Sequence, residues 1–139
     1  MPEIIRRKQR RVSPLIYDRN HKLIVNHVFI QTLYRRLYDG DLQYLTPAFG
    51  QALPLCLRVH KDLPKRLKLK QRWPDMNKAH RSQVIAGLLR IHAHRPEYLK
   101  AVAAPNSQRH DLTGKPIEPV SAEHRAYVQS LMVMPRKRA

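Results

Sequence analysis

The apolar positions of this chain fall into runs at helical spacing, separated by proline, glycine and acidic breakers. The clearest pattern is Val84, Ile85, Leu88, Leu89, then Tyr98, Leu99, Val102, interrupted at Pro96 and closed by Pro105-Asn106. Two helices meeting at a corner are predicted. The first begins after Asp75 and Asn77, which are helix-start residues. The second begins near Arg95, because proline fits the first helical turn. Upstream, Leu23, Ile24, Val28, Ile30, Leu33, Tyr34 and Leu37 fit one helix from His21 to Tyr38, ended by Asp39-Gly40-Asp41. Leu42 to Phe49 reads as a helical turn broken at Pro47.

Leu53 to Val59 alternates, with Leu55, Leu57 and Val59 on one face and Cys56 and Arg58 on the other, so it is predicted to be a strand. In His60 to Trp73 the leucines Leu63, Leu67 and Leu69 anchor a cationic segment bounded by Pro64 and Pro74, so any helix there is short. Ser107 to Leu112, Thr113-Gly114-Lys115 and Pro116 to Val120 predict a hairpin with a glycine-permitted turn. Ser121 is an N-cap for a last helix, Ala122 to about Val133, with Glu123 in its first turn. The expected fold class is α+β: a mainly helical single domain with a small β-hairpin, over residues 21–134. A flexible basic arm (1–20) and a basic tail (135–139) flank it.

Charge sharpens this picture. The chain has 27 Lys+Arg against 10 Asp+Glu, a net charge of +17. Such an excess repels itself in a compact domain and is tolerated most readily where a polyanion neutralises it. Nucleic acid is the expected partner. A membrane surface is not expected: no amphipathic basic helix with exposed large apolar residues or lipidation signal is evident, and no apolar run approaches the roughly 20 residues of a span. The start lacks the apolar core of a secretory signal, so a cytoplasmic location is expected. Cys56, the one cysteine, excludes an intrachain disulfide and a cysteine-based zinc finger; it reads as a small buried hydrophobe.

RNA presents phosphates and, at a free 3′ end, unstacked bases and vicinal hydroxyls, which suit cations, hydrogen-bonding side chains and a stacking surface. Tyr98 can supply an aromatic face and a phenolic donor, and Arg90 and Arg109 can fork onto phosphate oxygens. On spacing alone Tyr98 is equally an amphipathic core residue with its hydroxyl at the rim. The first-turn amides of the helix after Asn77, with Lys78 and Arg81, offer a phosphate site. His92 and His94, two residues apart on a helix, point about 200° from each other and cannot share one metal ion. His94, at the corner, reads either as an RNA hydrogen-bond donor or as plainly solvated. The acidic residues are scattered, turn chemistry explains Asp39-Gly40-Asp41, and no nucleophile has an obvious base. Neither catalysis nor a cofactor is expected.

Pro54-Leu55 leading to Asp62-Leu63, a helix pair ending Arg95-Pro96-Glu97-Tyr98-Leu99, and Arg109-His110-Asp111-Leu112-Thr113-Gly114 occur in that order. Together with Val120-Ser121-Ala122-Glu123-His124, this arrangement resembles the ProQ/FinO family of bacterial RNA chaperones over roughly Asn26 to Leu131. The resemblance implies a domain whose concave face grips the 3′ end of a transcript, typically a terminator hairpin with its single-stranded tail. Tyr98 and Leu99 match the family's pocket Tyr-Leu, Arg90 an arginine on the preceding helix, and Arg109 the arginine before the Asp-Leu-x-Gly turn. RNA contacts are thus expected at Arg58, Lys61, Lys78, Arg81, Arg90, His94, Tyr98, Leu99, Lys100 and Arg109. The expected partners are small regulatory RNA and mRNA, with the protein a monomer that takes no small-molecule substrate. A structural ribonucleoprotein component and, less well, a DNA-binding module are the alternatives.

Overall fold

The computed structural model describes residues 12–133. Most of the expected basic arm, including Arg6, Arg7, Lys8, Arg10 and Arg11, and the tail at 135–139 lie outside the described residues. The remainder of the arm overlaps a strand. Leu15–Tyr17 (β1) pairs antiparallel with Leu23–Val25 (β2), Ile16 opposite Ile24. Asp18 holds their turn, its Oδ1 accepting from the backbone N–H of Asn20 and Lys22 at 2.8 and 2.9 Å. The helix expected from His21 therefore starts later, as α1, His27–Tyr38. Asn26 sets that boundary: its Oδ1 accepts from the Val28 N–H at 3.0 Å while its Nδ2 donates to the Ser13 carbonyl at 2.9 Å.

A 3-10 turn, Gln43–Leu45, and α2, Pro47–Gly50, follow, with Thr46 buried between them and donating to the Leu37 carbonyl at 3.2 Å. The strand expected over 53–59 shrinks to one parallel bridge between Leu55 and His110. The chain then turns into α3, Val59–Arg66, so period-two alternation cannot persist. Cys56 is accordingly buried, as a small hydrophobe should be, while Leu57 is 69% exposed. Pro64 sits within α3 instead of bounding it. A left-handed residue, Lys68, links α3 to α4, Leu69–Arg72, and Leu63, Leu67 and Leu69 anchor the segment beneath exposed cations.

The corner is as the pattern predicts: α5, Lys78–Ala93, then α6, Pro96–Ala103, with Pro96 in the first turn and Arg95 as N-cap. Asn77 and His80 form a reciprocal cap on α5. Strands β3, Gln108–His110, and β4, Pro116–Pro119, make the expected hairpin, and Gly114 takes φ +97° in its turn. Asp111 Oδ1 gathers the N–H groups of Thr113 and Lys115, both at 3.0 Å, and the Thr113 hydroxyl at 2.6 Å. Helix α7, Ala122–Val133, starts where the Ser121 hydroxyl accepts from the His124 N–H at 3.1 Å.

The main core lies among α1, α2, α3, α4 and α5, around Leu33, Leu37, Phe49, Leu63, Leu67 and Leu88. A smaller one, Val102, Ala103, Val120 and Val128, joins α6 to α7. Tyr98 packs against both, which places its ring at the seam.

Candidate nucleic-acid interface

Tyr98 and Arg109 come together through the backbone of one residue, Leu55. The Leu55 N–H donates to the Tyr98 hydroxyl at 3.3 Å, and Arg109 Nη1 donates to the Leu55 carbonyl at 3.2 Å. The bridge to β3 fixes the peptides on both sides of Leu55: the His110 N–H donates to the Pro54 carbonyl at 2.7 Å and the Cys56 N–H to the His110 carbonyl at 2.9 Å. The short turn at Leu55, the Asp111-organised hairpin and the Pro96 corner thus meet at one place. Burial pushes the Tyr98 phenol above its ordinary pKa, opposed by the Leu55 hydrogen bond and the Arg109 charge, so it is neutral at physiological pH. Because its oxygen accepts from Leu55, its proton is free to donate to a ligand. Arg109 makes no other side-chain hydrogen bond among the described residues, leaving most of its fork available.

Around this pair lies a cavity of about 220 Å³ lined also by Leu57, Val59, His60, Leu89 and Ala93. The exposed Leu57 is therefore part of the cavity wall. A larger cavity, about 650 Å³, is lined by His60, Pro64, Lys70, Lys78, Arg81, Ser82, Ile85, Ala86 and Leu89. His60 and Leu89 border both, so the cationic cavity at the start of α5 adjoins the tyrosine pocket at its end. At the start of α5 the Asn77 Oδ1 takes the His80 N–H at 2.8 Å, while the amides of Lys78 and Ala79 have no backbone partner among the described residues. Arg81 spends Nη1 on the Met76 carbonyl at 2.6 Å, which fixes its stem under the cavity.

The other expected contacts are dispersed. Arg90 lines a separate cleft, about 280 Å³, with Val25, His27, Ile30 and Gln83, so it does not share the Tyr98 pocket. Leu99 packs on the smaller core instead of lining the pocket. His94 is exposed at the end of α5, with Nδ1 2.7 Å from the Arg90 carbonyl. Arg58 and Lys61 are exposed at the start of α3, on either side of His60, and Lys100 is exposed on α6.

Sequence reasoning did not single out His60 or Lys70, and it weighed His92 only as a metal ligand. A histidine one turn into a segment following Pro54-Leu55 was the available signal for His60; nothing in the pattern marked Lys70 among its neighbouring cations. His92 is fully buried, its Nδ1 sharing a 2.7 Å hydrogen bond with the Tyr34 hydroxyl. Its ring stacks on Phe49, centroids 4.6 Å apart, and meets Tyr98 edge-on at 4.9 Å. Burial pushes its pKa down to about 4, with the Leu53 backbone opposing and the Arg95 charge assisting. A neutral imidazole thus backs the pocket tyrosine.

Among the described residues no helix is long and apolar enough to cross a membrane. No curated protein matches the chain. A FinO-like RNA chaperone from Neisseria meningitidis MC58 matches in structure, with a TM-score of 0.57 and 26% sequence identity, over 75% of this chain and 94% of that one. The family model described as ProQ/FINO matches residues 41–139, taking in the Leu55 turn, the α5–α6 corner and the Arg109 hairpin. The chain belongs to the ProQ/FINO family.

Proposed function

We propose that this protein is an RNA-binding chaperone that holds structured RNA by a single-stranded 3′ tail, shields that end and aids pairing of a regulatory RNA with its target. The observation that carries this reading is the clasp of Tyr98 and Arg109 on the Leu55 backbone, in a pocket bordering the cationic cavity of Lys70, Lys78 and Arg81. A terminal nucleotide stacks on Tyr98 and receives its hydroxyl proton, while Arg109 takes a phosphate. Stem phosphates run along Lys78, Arg81 and the free amides of the first turn of α5. Arg58, Lys61, His94 and Lys100 add attraction at the margins, and Arg90, on its own cleft, contributes from another face. The protein acts from the cytoplasm as a monomer, and it does so by binding alone.

The test is one terminator-like hairpin with its 3′ tail intact, with the tail removed, and with the 3′ hydroxyl phosphorylated, at about 150 mM salt where distant exposed charges are screened. The intact tail is expected to bind most tightly. Tyr98→Ala should remove about 1–3 kcal/mol of that preference, the value of one stacked base. Arg109→Ala should lower binding of the tailed RNA more than the blunt. Equal binding of all three RNAs would leave a basic surface without end recognition, as in a structural ribonucleoprotein component.

A further inference from the structure

A second cleft, about 560 Å³, opens where α1 ends, between the 3-10 turn and α2, lined by Tyr38, Asp39, Gln43, Tyr44, Pro47, Gly50 and Gln51. Its chemistry differs from the rest of the surface. In a protein of net charge +17, none of the residues lining it is a lysine or arginine. The nearby Asp41 is neutralised by Arg36 through two 2.9 Å hydrogen bonds, but Asp39 has no such partner among the described residues. None of Tyr38, Asp39, Gln43, Tyr44 or Gln51 makes a side-chain hydrogen bond to another described residue. Tyr44 is 64% exposed, and the core gains little from its ring.

We propose that this cleft is a binding site for an unpaired nucleobase, separate from the Tyr98 pocket, and that it favours bases carrying an exocyclic amine. A phosphate is a poor fit to a cleft with a free carboxylate and no cation. A planar, neutral, hydrogen-bonding ring is a good one. Tyr44 supplies a stacking face, the Gln43 and Gln51 amides each supply donor and acceptor, and the Asp39 carboxylate accepts from an amino group. Adenine, cytosine and guanine have that amine and uracil lacks it, so uracil is disfavoured. Tyr38 is held for the purpose: the Arg95 guanidinium carbon lies 3.8 Å from its ring centroid, and Tyr34 stacks parallel to it at 6.0 Å. Flanking phosphates have a cation within reach in Arg66, whose Nε donates to the Leu45 carbonyl at 2.7 Å in the adjoining turn. Successive ring-to-ring distances of 6.0, 5.9 and 4.9 Å run from Tyr38 through Tyr34 and His92 to Tyr98, so the same packed aromatic group supports both sites.

The inference rests on the reading that the ligand is RNA, but not on recognition of a 3′ end. The test therefore uses 3′-phosphorylated hexaadenylate and hexauridylate, whose blocked ends do not suit the Tyr98 pocket, measured by fluorescence anisotropy on the full chain. Hexaadenylate is expected to bind several-fold more tightly than hexauridylate. Tyr44→Ala should weaken it about tenfold, the order of one stacked base. Asp39→Ala should narrow the adenylate preference. Equal affinity for the two oligomers, no loss in Tyr44→Ala, or loss confined to Tyr98→Ala would each overturn the proposal. The tail preference of the hairpin, measured on Tyr44→Ala, reports separately on the 3′-end reading and is expected to persist.

Discussion

At the scale of single residues, His92 has the most to lose from a change in protonation. Its ring is sealed among Tyr34, Phe49 and Tyr98, its Nε2 has no hydrogen-bond partner among the described residues, and its pKa falls to about 4 against an unfolded value near 6.5. Above pH 6.5 the imidazole is neutral in both folded and unfolded chains, so it costs nothing. As pH falls from 6.5 toward 4, the unfolded chain takes up a proton that the folded one refuses, and stability declines with pH over that window. The loss is on the order of 3 kcal/mol at full development. His92→Phe should be less stable by about 1–3 kcal/mol at pH 7.5, because the Tyr34 hydroxyl loses its partner. The same variant should show a flatter decline between pH 6.5 and 4 in urea titrations. A decline as steep as that of the unsubstituted protein would place the titration elsewhere. Because His92 meets Tyr98 edge-on and stays neutral in the folded chain down to about pH 4, tail preference should hold between about pH 6.5 and 5 while stability already declines.

At the scale of elements, α1 and α5 approach closely at Gly87. A Cβ built on Gly87 would lie 2.9 Å from two side-chain carbons of Ile30, which is itself buried. Gly87→Ala therefore forces Ile30 to move, an overpacking cost of about 1–3 kcal/mol that outweighs the roughly 1 kcal/mol gained in helix propensity. Combining it with Ile30→Val should recover much of the loss in thermal denaturation, and a Gly87→Ala protein as stable as its parent would show that the helices separate freely. The elements legible in the sequence were those specified locally. Asn77, Pro96, Gly114 and Ser121 each mark a boundary by their own chemistry, and the α5–α6 corner, the β3–β4 hairpin and α7 stand where those residues put them. The errors fell where a partner distant in sequence decides. Leu23–Val25 can continue a helix or form a strand, and pairing with Leu15–Tyr17 selects the strand. The alternation of Leu55, Leu57 and Val59 is present, but β3 offers it a single bridge. At the candidate site, Tyr98 and Arg109 were legible from their motifs, while the Leu55 backbone that joins them and the turning of Arg90 toward α1 depend on tertiary packing.

At the scale of the whole molecule, two kinds of attraction have to be separated: a general pull from net charge +17 and the local grip proposed at the Tyr98 pocket. The first depends on how many phosphates are neutralised, since each releases condensed counterions. If about six are engaged, log affinity falls against log salt with a slope of about −4 to −5, for tailed and blunt RNA alike. Arg6, Arg7, Lys8, Arg10 and Arg11 form a block of five cations at the start of the chain. Replacing all five by glutamine should weaken every RNA and make that slope shallower, by up to about one unit for each phosphate that is no longer neutralised. The ratio of tailed to blunt affinity should not change, because it is set by stacking and directed hydrogen bonds within the domain. Arg109→Ala should do the converse, lowering the ratio while moving the slope by no more than about one unit. Titrating both variants with both RNAs at four salt concentrations checks this. A fall in the ratio on neutralising the block would mean that these cations help place the tail in the pocket, and the two attractions would then be one coupled grip.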